Sequence, residues 1–135
     1  MNITEINGLP LPRELLDLLD SGRWRVPDDR ARLAEVFGDR PVQPVFYQVD
    51  LMLSENAAWA GETSPYYLGE PDPIRPPGDI DPRRSLLIGD LGPDLPFALD
   101  YRGPGEPGVC YLASWGDRWV TVAESVADLA VRCGL

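Results

Sequence analysis

Histidine and lysine are absent from the 135-residue sequence, so all 12 basic residues are arginine. The lack of histidine excludes Ser-His-Asp triads, Cys-His dyads and HExxH zinc sites. The lack of lysine excludes P-loop lysines and Schiff-base chemistry. Two carboxylates or an activated thiolate could still catalyse a reaction, but no spacing in the sequence singles out such a pair. We therefore expect a non-catalytic protein.

Cysteine is also scarce. Cys110 and Cys133 are too few for a disulfide scaffold, and without histidine they cannot complete a four-ligand zinc site. Cys110 falls in an apolar strand pattern and Cys133 on the apolar face of a terminal helix. We predict two buried thiols in preference to a reactive thiol or a bridge. No metal and no cofactor are expected.

Basic side chains are outnumbered by acidic ones, 12 against 22, and the formal net charge is −10. Such a chain repels a phosphate backbone, so we do not expect it to bind nucleic acid. No basic segment followed by an apolar one begins the chain, and no run approaches about 18 uninterrupted apolar residues. We expect a cytoplasmic protein without a membrane partner.

The length and a hydrophobic content of 44% fit one domain spanning residues 1–135 with a core of its own. In the first half, Pro12 suits a first helical turn and Gly22 the residue past a helix end. Strand-like alternation at Val45 and Tyr47 also leaves open a longer strand there. We predict helices near 12–20 and 28–37 and, after a short strand at 45–48, a helix capped by Asp50 and reaching Trp59.

Residues 61–84 contain six prolines together with several glycines and acids. Proline blocks helix and leaves room only for short or marginal strands. We predict a long surface loop here. Loops of this length inside a compact domain are usually functional or mobile, and the sequence leaves both interpretations open.

The last third of the chain changes character. Short apolar runs separated by Gly, Pro and Asp turns are typical of an antiparallel meander. Ser125 fits a helix N-cap, and the apolar residues after it recur at helical spacing up to Cys133. We predict strands near 85–89, 96–101, 108–113 and 118–122 and a final helix near 124–132. The fold class is then α+β: N-terminal helices, an antiparallel sheet, and a C-terminal amphipathic helix that covers the sheet.

Several motifs in this order are similar to those of a known family. They are a Leu-Pro helix start, then "gd", "fa.d", "vy" and "w" strand patterns, then a "vA.Sf.efl" helix. In this sequence they correspond to Leu11–Gly22, where the helix ends at the glycine, and to Ile88–Asp90, Pro96–Asp100, Gly108–Tyr111 and Trp119–Leu129. The arrangement resembles the SMI1/KNR4 family, also called the SUKH superfamily. Val126 stands where the family usually has an aromatic residue, and residues 61–82 match no family pattern.

The resemblance implies a function. Bacterial members of this family look like immunity proteins, which bind and block a cognate toxin domain that is often a nuclease. Other relatives look like regulatory or scaffolding proteins, and this alternative stays open. A nuclease binds phosphate and tends to be basic, so a charge of −10 on an inhibitor would speed its association with such a toxin.

Three acids and one tryptophan are the candidate partner-binding residues. Asp90, Asp94 and Asp100 bracket the first two strands of the meander and could form a patch that accepts Arg or Lys side chains of a toxin. Asp beside Gly or Pro also favours tight turns, and that simpler interpretation remains open. Trp115, expected at a hairpin tip, could anchor an interface. The other tryptophans are predicted to be core: Trp24, Trp59 and Trp119.

Overall fold

The computed structural model describes residues 3–114 and 118–135. A single turn of 3-10 helix, Pro82–Arg84, stands directly before the strand that begins at Ser85. The helices and strands follow one another in the order β1 (Glu5–Ile6), β2 (Leu9–Pro10), α1 (Arg13–Asp20), α2 (Arg30–Phe37), β3 (Val45–Phe46), α3 (Val49–Trp59), α4 (Pro65–Leu68), β4 (Ser85–Asp90), β5 (Pro96–Asp100), β6 (Gly108–Ala113), β7 (Arg118–Ala123) and α5 (Val126–Cys133). This content confirms the predicted α+β class.

The main sheet has the strand order β3-β4-β5-β6-β7, and every neighbouring pair is antiparallel. Strands β4 to β7 form the predicted meander, and β3 adds a short strand at its edge. A second hairpin, β1–β2, was not predicted. It turns at Asn7 and Gly8, whose φ angles of 54° and 78° suit the tight Asn-Gly turn.

Two of the helices, α2 and α5, begin with side-chain caps. The Asp29 carboxylate accepts a hydrogen bond from Arg32 N at the start of α2, and Ser125 does the same for Asp128 N at the start of α5. The prediction of a strand followed by a helix after residue 45 is confirmed. The predicted Asp50 cap is wrong, because α3 begins at Val49.

Among the described residues, no helix combines the length and the apolar character needed to cross a bilayer.

An aromatic cluster fills the core on one face of the sheet. Phe97 of β5 lies with its ring centroid 4.9 Å from Phe37 and 5.3 Å from Phe46. Trp24 lies 4.7 Å from Phe46, and its indole N–H donates to the Tyr47 carbonyl. Each side chain of this size contributes about 1.5–3 kcal/mol through its burial. Helices α1 and α2 both contact α5, which lies on β6 and β7.

Helix α3 is attached to β4 by a buried amide. Asn56 is fully buried, and its Nδ2 donates to the Leu87 carbonyl while its Oδ1 accepts from Leu87 N. The pairing of β4 with β5 shifts register between Leu87 and Gly89. The Asn56 amide therefore supplies backbone partners at the irregular part of β4, which fixes the position of α3.

Residues 61–84, the Pro-rich segment, pack along the sheet. The Trp119 indole N–H donates to the Tyr67 carbonyl at 2.8 Å, and the Arg102 guanidinium donates to the carbonyls of Gly78 and Asp79 at 2.7 and 2.6 Å. Ile80 is fully buried. The expectation that proline blocks helix here is wrong for α4, because Pro65 occupies its first turn, where its missing N–H costs nothing.

Candidate functional site

A pocket of about 300 Å³ opens between α3, α4 and the turn that joins β4 to β5. Four of its side chains are carboxylates and three are large aromatics. No arginine is among the described residues that line it. The lining consists of Tyr47, Glu55, Ala58, Trp59, Glu62, Tyr67, Leu87, Asp90, Gly92, Pro93, Asp94, Leu95 and Pro96.

Helix α3 and the residues after it form one wall. Glu55, Ala58 and Trp59 stand at positions i, i+3 and i+4 of α3 and share one helical face, and Glu62 lies three residues beyond the end of the helix. The Trp59 indole N–H donates to Ser85 Oγ at 2.9 Å, so this wall is fixed to β4. The Glu62 carboxylate accepts from Ser64 N at 2.7 Å.

Tyrosine hydroxyls hold the two aspartates of the opposite wall. Tyr47 donates to Asp90 Oδ2 at 2.9 Å, and Tyr67 donates to Asp94 Oδ1. Burial raises the pKa of Asp90, and the nearby Glu55 charge adds to this effect, although the hydrogen bond from Tyr47 opposes it. The bond to Asp94 raises the pKa of Tyr67 to about 12. Both phenols are therefore donors at neutral pH.

The β4–β5 turn has a constrained backbone. Asp94 has a φ of 61°, in the left-handed region that aspartate tolerates better than most residues. Gly92 has a φ of 156°, and a Cβ there would lie 2.6 Å from the Val42 carbonyl oxygen. Asp94 thus serves the turn, as the simpler interpretation holds, and also lines the pocket.

Asp100 lies at the other end of the β4–β5 hairpin. It pairs with Ser85, whereas Asp90 pairs with Pro96, so about 17 Å of strand separates the two aspartates. Its Oδ2 lies 3.1 Å from Arg102 Nη2 and 3.5 Å from Arg75 Nη2. Of the predicted site residues, Asp90 and Asp94 share the pocket and Asp100 does not. Trp115 lies outside the described residues.

The other tryptophans and the cysteines lie where the sequence predicts them. The exposed fractions of Trp24, Trp59 and Trp119 are 1%, 4% and 8%, which confirms them as core. Cys110 and Cys133 are both free and buried. Burial raises the pKa of Cys133 to about 11, so its thiolate is scarce at neutral pH.

Among the described residues, the arginines that form ion pairs do so with carboxylates away from the pocket. Arg118 is bound to Asp79 at 2.6 Å and Arg132 to Asp128 at 3.0 Å, in addition to the pairs at Asp100. The negative charge of the pocket is therefore not offset by its own lining. Within the part of the chain that the structure describes, acidic and sulfur side chains form no group able to hold a metal ion.

The sequence contained a signal for the α3 wall that the predictions did not use. Glu55 and Trp59 stand four residues apart, a spacing that places them on one face of the predicted helix, whereas Glu62 lies beyond the end of α3. Nothing local indicated Tyr47 and Tyr67, because their hydroxyls reach aspartates 43 and 27 residues away in sequence. Only the folded chain brings these groups together.

Comparisons with family models, with curated proteins and with solved structures find no match for this chain. The class that the structure defines is an α+β domain with an acidic, aromatic-lined pocket at one end of its sheet. The resemblance to the SMI1/KNR4 family stays a prediction from the sequence motifs.

Proposed function

We propose that this chain is a non-catalytic binding protein of the immunity type, which binds and neutralises a basic toxin domain. The observation that carries the proposal is the pocket whose lining contains four carboxylates and no arginine among the described residues. A basic partner would supply the missing positive charge. The SMI1/KNR4-like order of sequence motifs supports the same role.

The overall charge favours the same kind of partner. With a net charge of −10, the chain attracts a cationic surface over distances of about 10 Å at moderate ionic strength. Such steering raises the association rate, which benefits an inhibitor that must act before a toxin reaches its substrate. Nuclease-type toxins fit this description because they carry positive charge for phosphate.

A second candidate is a regulatory or ligand-binding module of the same fold. The pocket volume of about 300 Å³ falls at the small end of the range for small-molecule sites, which favours this candidate. The module would bind a small cationic molecule and would need no toxin. Both functions use the same pocket but differ in what fills it.

The test is calorimetry of the purified chain with the basic domain encoded beside its gene, at two salt concentrations. We expect binding that inhibits the activity of that domain and weakens as salt rises. Tight binding without inhibition would contradict neutralisation. No binding to any basic domain encoded nearby would contradict the proposal and favour the regulatory module.

A further inference from the structure

The group that enters the pocket depends on the partner, and for the identity of that partner the inference rests on the proposed function. We infer that the pocket receives the side chain of one arginine from the partner, with its guanidinium between the acids of the α3 wall and those of the β4–β5 turn. Three separate properties of the pocket support this ligand: its shape, its aromatic lining and the arrangement of its acids.

The first property is concavity. The pocket is a recess of about 300 Å³ between α3, α4 and the β4–β5 turn. Asn56 binds α3 to β4, and the turn is fixed by the bond from Leu91 N to the Leu95 carbonyl at 3.0 Å. A recess between fixed walls suits a long side chain inserted end-on, which loses little free energy to reordering of the walls.

The second property is the aromatic lining, which is independent of the charge. Tyr47, Trp59 and Tyr67 all line the recess. Trp59 and Tyr67 are in edge-to-face contact, with centroids 6.5 Å apart and planes at 90°. A guanidinium is planar and weakly hydrated, so it is attracted to aromatic rings more readily than a hydrated ammonium ion is.

The third property is the spread of the acids. The four carboxylates surround the recess without gathering into a set that could hold a metal ion among the described residues. A guanidinium has five N–H donors directed along several lines in one plane, so it can reach carboxylates on different walls. Asp90 and Asp94 each accept a tyrosine hydroxyl, which leaves further lone pairs for a ligand.

The chemistry of the ligand can be tested without the partner. The probe is N-acetyl-arginine amide, titrated into ¹⁵N-labelled protein and followed by NMR. We expect saturable shifts at the Trp59 indole N–H and at the backbone N–H groups of residues 90–92, 94 and 95. The matched probe is N-acetyl-citrulline amide, which has nearly the same shape and no charge. Equal binding of the two probes, or arginine shifts located elsewhere, would overturn the inference.

The role of the pocket in the complex is tested by neutral variants of similar shape. Glu55→Gln with Asp90→Asn removes two charges from opposite walls, and we expect it to weaken partner binding by about 30-fold or more, mainly through faster dissociation. Asp20→Asn with Glu35→Gln removes the same charge from exposed positions on α1 and α2. This control should change affinity only a few-fold. Equal effects of the two pairs would overturn the inference.

The single variant Glu55→Gln keeps the test valid if the double variant fails to fold, because it removes charge from the pocket rim and leaves the Tyr47–Asp90 bond intact. A partner that binds the wild type and the folded pocket variants equally well would refute the arginine site and leave the proposed function standing. Selective binding of the arginine probe by a chain that inhibits no basic domain would refute the proposed function and leave the arginine site standing.

Discussion

The two ends of the β4–β5 hairpin carry the same type of side chain in opposite electrostatic surroundings. At one end, Asp100 accepts from Arg102 and lies near Arg75. At the other end, Asp90 and Asp94 accept from tyrosine hydroxyls in a pocket with no arginine among its described lining residues. A guanidinium cancels the charge of a carboxylate, whereas a phenol binds it and leaves the charge in place. The charge of Asp100 is therefore neutralised within the fold, whereas Asp90 and Asp94 have no arginine beside them among the described pocket residues.

The largest expected loss of stability comes from removing the arginine that neutralises Asp100. Arg102 has a side chain that is 7% exposed, and it binds Asp100 and the carbonyls of Gly78 and Asp79. Arg102→Ala leaves a partly buried carboxylate and two carbonyls without these donors. We expect a loss of about 4 kcal/mol in the free energy of unfolding, measured by urea denaturation. A loss below about 1 kcal/mol would contradict a structural role for this end.

The next largest effect concerns the uncharged hydrogen bonds by which Asn56 attaches α3, one wall of the pocket, to β4. Asn56→Leu keeps the volume of the side chain but leaves Leu87 N and O without their amide partners. We expect a loss of about 3 kcal/mol in the free energy of unfolding. The loss should be the same at low and high salt because the lost bonds are uncharged. A loss that shrinks as salt rises would show that charge contributes to this attachment.

A smaller effect is the pH dependence of stability that arises from Asp90 at the pocket end. Burial raises the pKa of Asp90 above its usual 3.8, so the folded state holds this proton more tightly than the unfolded state does. The stability that the protonated Asp90 carboxyl contributes is present below the pKa of Asp90 in the unfolded chain. It is lost as the pH rises through the higher pKa of Asp90 in the folded chain. Asp90→Asn mimics the protonated form and still accepts from Tyr47. We expect it to be at least as stable as the wild type at neutral pH, by urea denaturation, with the difference vanishing below pH 3.8.

Asp79 is the matched case with the opposite sign. Burial raises its pKa, but hydrogen bonds from Arg118 and from the backbone of Glu70 and Trp119 outweigh this and lower the pKa below its usual value. Its contribution to stability is present above the unfolded pKa and is lost as pH falls through the folded pKa. Asp79→Asn should therefore be less stable than the wild type at neutral pH and approach it on acidification. The same sign for both variants would contradict the comparison.

Local patterns in the sequence were enough to predict most of the fold. The apolar runs after residue 84 match β4 to β7 closely, and Ser125 caps α5 as predicted. These elements depend on neighbours a few residues away. The β1–β2 hairpin was missed, although its Asn7-Gly8 turn is a recognised hairpin signal.

The candidate site could be predicted only in part. Asp90 and Asp94 were identified from their place beside a turn, and the structure brings them into one pocket. The same turn pattern included Asp100, although Arg102, only two residues further along the chain, binds its carboxylate. The tyrosine hydroxyls that bind Asp90 and Asp94 come from distant parts of the chain, so the pattern indicates where acids gather and not what binds each of them.

The smallest expected effect tests which arginine neutralises Asp100. Arg75 lies 3.5 Å from the Asp100 carboxylate, and its side chain is 57% exposed, so water and salt screen the pair. Arg75→Ala keeps the backbone carbonyl that accepts from Arg102 Nη1 at 3.4 Å. We expect a loss below about 1 kcal/mol in the free energy of unfolding, which should disappear in high salt. A loss as large as that of Arg102→Ala would mean that neutralising Asp100 requires both arginines. The exposed Arg75–Asp100 pair would then stabilise the fold as much as the more buried Arg102–Asp100 pair does.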